Sequence, residues 1–571
     1  MIMPDRPRGS RLTALAAGHR SPPWWLPALL ALGAAACATG AGDLGDGTGG
    51  DTGKGSGGAR TGQGGAGAGG SGLGGATGGG LRDGGVAATG GAGGIDLGGA
   101  GGAAAGGVRD AGASDLPADR GATGAGGAGT GGITGAGGSN VVLPAGVSGL
   151  FPAPGVQGVC PDPPLRITFP APPTLGTAGR IQVWNAAQTA TPVATVDMAV
   201  AMATDTIGGL AFNVPRAVFV DGNAAVIYLR QHALAYGQTY YVTVESGAIR
   251  PATGAALAIT SATAWRFSTA AAAPANRAAL GVALDGSAAF CSVQGAIDAL
   301  PAGNTAASTI SIARGTYHEI IRFTAKNNVT LRGADRAATI IAATNNNNLN
   351  PGTAIRSLVG IDSSSGLVID SLTIQNLTPQ GGSQAEALRL QRCDQCIVRN
   401  ANVYSLQDTL LFDGRVYVDN SLIAGNVDFV WGGGIAYFNN CEIRIVGRSG
   451  VIVQARNAVG ANGYVFVDCR LTSDAGLVNS NLARIDAGVY PGSHVAYINC
   501  VMGPHISAAG WQLTAGTATA SLRFWEYQSR TPAGALVNVG GRVAGVQITA
   551  AQATMMRTPS MVLGGWTPPA N

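Results

Sequence analysis

The stretch NANVYSLQDTLLFDGRVYVDNSLIAGNVD, residues 400–428, contains two copies of one short pattern. In each copy an Asn precedes an aliphatic residue by three positions, as in Asn400-Ala-Asn-Val403 and Asn420-Ser-Leu-Ile423. If Ser or Asp is also accepted at the first position of the pattern, a series of seven copies can be followed along the C-terminal half, beginning at Asn328, Ser371, Asn400, Asn420, Asn440, Asp468 and Asn499. Their spacings are 43, 29, 20, 20, 28 and 31 residues. Apart from the first, which would hold two turns, these are lengths for one turn of a solenoid.

Short β-rich segments such as VTLRG, VYVDN and YVFVDC fill each period, and no long helical pattern interrupts them. We therefore predict an all-β fold whose C-terminal part, residues 278–568, is a right-handed parallel β-helix with Asn and Cys ladders at one corner. The segment SVQGAIDAL has Val293, Ile297 and Leu300 at helical spacing. It is predicted to cap the open end of the solenoid, where unpaired strand edges invite aggregation.

The sequence before the solenoid changes composition twice. Residues 37–140 are mostly Gly and Ala and offer few bulky side chains to bury, so we predict a disordered linker. Residues 141–272 contain short alternating runs such as RIQVW and TYYVTVE between Gly, Pro and Asn signals. These runs predict a small β-sandwich that resembles the Ig-like repeats of bacterial surface proteins.

The N-terminus has the pattern of an export signal. Several Arg residues precede the apolar run WWLPALLALGAAAC, which is too short to span a bilayer and ends in small residues before Cys37. We predict a signal peptide over residues 1–36, lipidation of Cys37, and an exported protein at the cell surface or outer membrane, with plain secretion as the alternative. A net charge of +4 over 571 residues does not indicate nucleic-acid binding.

Two aspartates share one phase of the repeat. Asp408 lies eight residues after Asn400, and Asp428 lies eight after Asn420, so both should occupy the same place on successive turns. Neighbouring rungs of a parallel sheet are roughly 4.8 Å apart. When two carboxylates lie at so short a distance in an apolar setting, the pKa of one of them rises. The pair then consists of a proton-bearing acid and a nucleophilic carboxylate. Such a pair suits the hydrolysis of either a glycoside or an ester.

Other catalytic classes find less support in the residues. No G-x-S-x-G elbow is present, and His318, His494 and His505 are not grouped with a nucleophile. No carboxylate or His cluster has metal-ligand spacing, so neither a metal nor a cofactor is expected. Cys441, Cys469 and Cys500 share one ladder phase and are predicted to be stacked buried thiols. Cys393 and Cys396 are predicted to form a local disulfide or to be two residues of a turn.

The chain from about Ala278 to Pro568 resembles the pectin methylesterases. The resemblance rests on several motifs in the order of that family: ARGTYHEIIRF, QAEALRL, YSLQDTLL, GNVDFVWGGGIAYFNNCEI, VIVQARN, MGPHISAAGW and GGWTP. It implies a pectin-lyase-like solenoid and a monomeric enzyme that releases methanol from the C6 methyl esters of polygalacturonate.

The resemblance also implies roles for five residues. Asp428 would be the nucleophile, and Asp408 would protonate the departing methanol and then take a proton from water. Gln384 and Gln407 would donate hydrogen bonds to the oxyanion, and Arg484 would hold Asp428 ionised and oriented.

Two departures from the family pattern concern the sugar groove. The family arginine is usually followed by Pro-Trp, whereas this chain has Arg484-Ile485-Asp486, and the Tyr common after QDTL is Leu411. Stacking on the sugar rings would then depend on other aromatic residues. The candidates are Trp431, Phe412, Tyr490 and Trp511.

Two further functions stay open from the residues alone. One is a β-helix pectin glycosidase or lyase, which would need a catalytic His or a basic cluster beside the acids. The other is a non-catalytic pectin-binding surface protein, which the Ig-like region and the missing Trp favour.

Overall fold

The computed structural model describes residues 142–229, 234–485 and 489–569. The predicted signal peptide, the linker over residues 37–140, the lipidation site Cys37 and the departure at Asp486 all lie outside the described residues.

The first part of the described chain is built from short antiparallel strands. Their bounds are β1 Gly149–Phe151, β2 Leu165–Thr168, β3 Thr174–Leu175, β4 Arg180–Asn185, β5 Ala194–Asp197, β6 Met202–Ile207, β7 Leu210–Pro215, β8 Val218–Asp221, β9 Ala224–Ile227, β10 Thr239–Val244, β11 Ile249–Arg250 and β12 Arg266–Ser268. They form two four-stranded sheets, with orders β1-β2-β9-β8 and β12-β10-β4-β5, a β3–β11 pair and a separate β6–β7 hairpin. Both four-stranded sheets contribute to one hydrophobic cluster, which includes Ile167, Val242 and Trp265. The specific Ig-like assignment stays a prediction.

The rest of the chain is a succession of short strands with three short helices. Their bounds are β13 Ala279–Val282, α1 Val293–Asp298, β14 Ser308–Ile312, β15 Gly315–Tyr317, β16 Ile321–Thr324, β17 Val329–Gly333, β18 Thr339–Ala343, β19 Val359–Asp362, β20 Val368–Asp370, β21 Thr373–Asn376, β22 Leu388–Gln391, β23 Cys396–Arg399, β24 Asn402–Tyr404, β25 Leu410–Phe412, β26 Arg415–Asp419, β27 Leu422–Gly425, β28 Val427–Gly432, β29 Ile435–Asn439, β30 Glu442–Ile445, β31 Val451–Ala455, β32 Tyr464–Val467, β33 Arg470–Ser473, β34 Asn481–Ile485, β35 His494–Ile498, β36 Val501–Met502, β37 Trp511–Leu513, β38 Arg523–Tyr527, β39 Gly545–Gln547, α2 Ala550–Met556 and α3 Pro559–Val562.

These strands form three long sheets in which every neighbouring pair is parallel. Sheet A has eleven strands in the order β13-β14-β17-β20-β23-β26-β29-β32-β35-β38-β39. Sheet B has eight, from β15 through every third strand to β36, and sheet C has eight, from β16 to β37. The chain thus visits A, B and C in turn and then starts the next rung, which confirms the predicted parallel β-helix. Its handedness stays a prediction.

The repeated polar residue has a backbone reason. At the corner between sheets A and B, each of six such residues has a positive φ between 45° and 58°: Ser371, Asn400, Asn420, Asn440, Asp468 and Asn499. Asn and Asp adopt this left-handed conformation more readily than other residues that carry a side chain, because their short polar groups bond locally. The Asn420 amide also donates to Asn400 Oδ1 at 2.8 Å, which links two turns.

The first copy of the pattern was wrongly placed in this series. Asn328 also has a positive φ of 53°, but it precedes β17 and so lies at the corner between sheets C and A. The gap of 43 residues therefore does not hold two turns. Instead, one turn is lengthened by the segment 344–358 between β18 and β19.

The interior of the solenoid is apolar and rich in aromatic rings. A row of rings along the axis has neighbouring centroids 4.4 to 6.5 Å apart, and its members are Phe412, Phe438, Phe466, Tyr497, Trp511 and Phe524. Cys441, Cys469 and Cys500 are free buried thiols, with the Cys441 N–H 3.4 Å from Cys469 Sγ, as the ladder prediction requires. Cys393 and Cys396 are also free and buried, so of the two alternatives the unbridged one is correct.

The N-terminal end of the solenoid is closed by a helix. The predicted cap is helix α1, whose Val293 and Ile297 are fully buried. A disulfide between Cys160 and Cys291, which the sequence did not predict, joins the antiparallel part to the chain two residues before this helix. Asp162 accepts hydrogen bonds from the backbone N–H groups of Cys291 and Ser292 at 2.9 and 2.8 Å, which fixes the same junction. Within the described residues, no helix is both long and apolar enough to cross a bilayer.

Candidate active site

The two aspartates lie in the same phase of adjacent turns. Gln407 pairs with Val427 and Leu410 pairs with Val430, so the register is twenty residues and places Asp408 opposite Asp428. The shared phase predicted from the spacing is therefore confirmed. Both residues have a positive φ, 65° for Asp408 and 47° for Asp428. Asp adopts this left-handed conformation readily, and it recurs at the corners of the solenoid.

Asp428 is held by an arginine from two turns further along. Arg484 Nε lies 2.8 Å from Asp428 Oδ1 and 3.0 Å from Oδ2, and its Nη2 lies 2.7 Å from Oδ2. The side chain of Asp428 is 7% exposed, whereas that of Arg484 is 28% exposed. A forked, charge-assisted pair of this kind favours the ionised carboxylate and fixes its plane. Asp428 is thus an oriented anion at the edge of a buried surface.

Asp408 has the opposite electrostatic character. Burial raises the pKa of its carboxyl group well above the ordinary value, and the negative charges of Glu386 and Asp428 raise it further, against the lowering effect of Arg356 and Arg456. The direction agrees with the sequence expectation, but the main cause does not. Burial comes first and Glu386 second, ahead of the aspartate on the next turn.

Arg356 and Glu386 are parts of the site that the sequence interpretation missed. Arg356 Nη2 lies 2.7 Å from Glu386 Oε1 and 3.1 Å from Asp408 Oδ2. Glu386 is fully buried, and Arg356 is 8% exposed. One guanidinium therefore joins the acid to a second carboxylate. The available signal was Glu386 itself, a charged residue between alanines in the motif QAEALRL.

Gln384 and Gln407 lie on neighbouring turns beside Asp408, and both are half-buried. The Ala385 N–H donates to the Gln407 carbonyl at 3.2 Å, and the Asn347 N–H donates to the Gln384 carbonyl at 2.9 Å. The Ser383 hydroxyl donates to Gln384 Oε1 at 3.0 Å, which leaves the amide NH2 group as the donating end of this side chain. The structure thus brings two neutral hydrogen-bond donors close to the acids.

Two of the four aromatic candidates lie at this surface. Trp431 and Tyr490 flank the Arg456 guanidinium, with ring centroids 4.4 and 5.3 Å from its central carbon. Tyr490 is 38% exposed, whereas Trp431 is 6% exposed. Gln454 Oε1 accepts from Arg456 Nη2 at 2.6 Å and completes the packing around the cation.

The other two aromatic candidates were wrong. Phe412 and Trp511 are 0% and 1% exposed and belong to the internal row of rings. The outward position on β25 is Leu411, which pairs with Trp431 on β28. Neither Phe412 nor Trp511 can therefore stack on a bound sugar.

Comparison with known proteins places this site in a family. The family model described as Pectinesterase matches residues 279–564. Pectinesterase 31 of Arabidopsis thaliana is 29% identical over 205 residues, covering 34% of this chain and 64% of the relative. Pectinesterase 2 of Olea europaea is 30% identical over 259 residues, covering 43% of this chain and 69% of the relative. A solved pectin methylesterase in complex with a hexasaccharide is 27% identical over 51% of this chain and 98% of its own, with a TM-score of 0.44.

Proposed function

The chain belongs to the pectinesterase family of carboxylic ester hydrolases, and from that premise we propose that it converts the C6 methyl esters of polygalacturonate to free carboxylates and methanol. The observation that carries the proposal is the contrast between the two aspartates. Asp428 is an arginine-bound anion, and the raised pKa of Asp408 favours its protonated form. A nucleophile and a proton donor thus face each other on adjacent turns.

In the first half of the reaction, Asp428 attacks the ester carbonyl and the C–O bond to methoxide breaks. Asp408 gives its proton to the leaving oxygen, so that methanol departs and an acyl-enzyme anhydride remains. Gln384 and Gln407 donate to the oxyanion of each tetrahedral intermediate without titrating themselves.

In the second half, a water oxygen attacks the acyl carbon while the ionised Asp408 takes a proton from the same water molecule. The bond to Asp428 breaks and releases the carboxyl group of the galacturonate unit, which then loses its remaining proton to the solvent. Asp408 is then protonated again, and Asp428 returns to its ion pair with Arg484. Arg356 stabilises Asp408 while Asp408 is ionised, because Arg356 Nη2 lies 3.1 Å from Asp408 Oδ2.

The product distribution of the wild-type protein tests this function. With highly methylated pectin, we expect methanol release without any increase in reducing ends, because only the ester bond is cleaved. New reducing ends or unsaturated uronates would indicate a glycosidase or lyase instead. Binding of pectin without release of methanol would favour the non-catalytic surface protein.

The oxyanion role of Gln384 gives a second expected result. Gln384→Leu should lower kcat by about 10²- to 10³-fold while KM changes little, because the lost hydrogen bond strengthens only as the oxyanion forms. Gln375→Leu, on sheet B, is the matched control and should retain the wild-type kcat. Methanol release at saturating pectin measures both variants. A Gln384 variant with wild-type kcat and a raised KM would assign this amide to ground-state binding.

We further propose that the protein is an exported monomer with an Ig-like domain over residues 141–272. The signal pattern of residues 1–36 supports export, and the small residues before Cys37 support a lipid anchor at that cysteine. The Gly-rich linker over residues 37–140 would then let the enzyme reach its polymer from the membrane surface.

A further inference from the structure

The β6–β7 hairpin packs into the solenoid. Its buried residues Ile207, Phe212 and Val214 belong to the hydrophobic cluster of the β-helix and not to that of the antiparallel sheets. The strands of the hairpin pair with each other across residues 202–215 and join no other sheet in the described part of the chain. The hairpin therefore extends from the antiparallel part and packs against the solenoid.

This hairpin forms hydrogen bonds with the segment that lengthens one turn of the β-helix. We call residues 345–357 the asparagine loop. The Asn213 N–H donates to Asn350 Oδ1 at 2.7 Å, and Asn350 Nδ2 donates back to the Asn213 carbonyl at 2.9 Å. The Asn213 side chain adds a bond to the Leu349 carbonyl at 3.1 Å.

Inside the asparagine loop, buried side-chain amides connect Asn350 by hydrogen bonds to the last residues of the loop. Asn350 Nδ2 also donates to Asn345 Oδ1 at 2.8 Å. Asn345 Nδ2 donates to the carbonyls of Ile355 and Ser357, both at 2.8 Å. Asn345 and Asn350 are 0% and 1% exposed. Buried amides with this many partners specify one backbone arrangement, since each bond lost would leave an unsatisfied polar group.

The residue between those two carbonyls is Arg356, whose guanidinium joins Asp408 to Glu386. Asn347, from the same loop, makes two further hydrogen bonds to residues of the site. Its Oδ1 accepts from Arg356 Nη1 at 3.4 Å, and its N–H donates to the Gln384 carbonyl. Hydrogen bonds therefore connect the hairpin to the two residues that flank Arg356, and the Arg356 side chain contacts the acid of the catalytic pair.

We propose that the β6–β7 hairpin is part of the catalytic unit, in which Asn213 and Asn350 are positioning residues that keep Arg356 against Asp408 and Glu386. The proposal rests on the esterase function given above. It assigns to the antiparallel part of the chain a role in the reaction.

The expected signature is a change in pH dependence. The charged groups that face Asp408 are Glu386 beside β22, Asp428 on β28, Arg456 after β31 and Arg356 from the asparagine loop. Loosening Arg356 removes part of the positive charge and leaves the two negative neighbours in place. The pKa of Asp408 should rise further and carry the alkaline limb of the kcat profile with it.

Three variants test the proposal in the full chain, with methanol release measured across pH and the unfolding temperature measured in parallel. Asn350→Ala should lower kcat by about 10- to 100-fold, because small displacements of catalytic groups have large effects on rate. Asn213→Ala loses only its side-chain bond to Leu349 and should lower kcat about threefold. Both should shift the alkaline limb upward, the first variant more than the second.

The control is Asn304→Ala, which also breaks a hydrogen bond between two parts of the chain, from the Asn327 N–H to Asn304 Oδ1, away from the acids. It should lower the unfolding temperature but keep the wild-type kcat and pH profile. Unfolding temperatures that fall without any shift of the pH profile in the Asn350 and Asn213 variants would overturn the proposal, as would an equal shift in the Asn304 variant. Failure of the wild-type protein to release methanol would instead overturn the esterase function.

Discussion

Asp428→Asn should abolish methanol release, with a loss of kcat of roughly 10⁴-fold or more. The amide has nearly the shape of the carboxylate, but it is a poor nucleophile and cannot form the forked ion pair with Arg484. Burst kinetics would show the same loss in the first turnover, since no acyl-enzyme could form. Binding of methylated pectin should persist, because the ester group is neutral and makes no ion pair with residue 428.

A matched control separates chemistry from folding. Asp370 is another buried aspartate held by an arginine, with Arg399 Nη2 at 3.1 Å, but it lies at the corner between sheets A and B. Asp370→Asn should cost stability and leave kcat at the wild-type level. If Asp428→Asn kept even a tenth of the wild-type kcat while folded, Asp428 would not be the nucleophile. Water activated by Asp408 would then be the remaining route to hydrolysis.

The fold could be predicted because each turn repeats one local requirement. A corner with positive φ selects Asn, Asp or Ser, and the twenty-residue spacing of Asn400 and Asn420 fixes the phase of everything between them. Asp408 and Asp428 inherit that phase, so their alignment follows from spacing alone. The same reasoning failed at Asn328, because a different corner of the solenoid makes the same demand on the backbone.

The rest of the site depends on contacts that no local pattern encodes. Arg356 enters from a loop that breaks the repeat, and its partner Glu386 is thirty residues further along the chain. The sequence also did not show which side chains of β25 point outward, because Leu410, Leu411 and Phe412 are all apolar and all buried, without polar and apolar alternation. Contacts of the hairpin with the asparagine loop join residues 137 positions apart and needed the three-dimensional structure.

The second large effect is expected at Asp408. Asp408→Asn should lower kcat by about 10²- to 10⁴-fold, because one side chain supplies the proton for methanol and later removes the proton from water. In the wild-type protein, kcat should fall as pH rises through the raised pKa of Asp408, since the first step needs the protonated form. That alkaline limb should be absent from the residual activity of the variant. An unchanged limb in the variant would assign the titration to another group.

The same substitution should also stabilise the folded protein at neutral pH. In the unfolded chain Asp408 has an ordinary pKa and ionises first, whereas the folded protein holds its proton to higher pH. The folded state then binds more protons, so the Asp408 contribution becomes unfavourable as pH rises from the ordinary pKa to the raised one. Asn cannot ionise, so the unfolding temperature of the variant should exceed that of the wild type at pH 7, with the difference shrinking below pH 4. A variant that is less stable than the wild type at both pH values would show that the neutral acid is held by hydrogen bonds that Asn cannot make. A gain at neutral pH alone would show that the raised pKa, which makes Asp408 a proton donor, is maintained at the expense of stability.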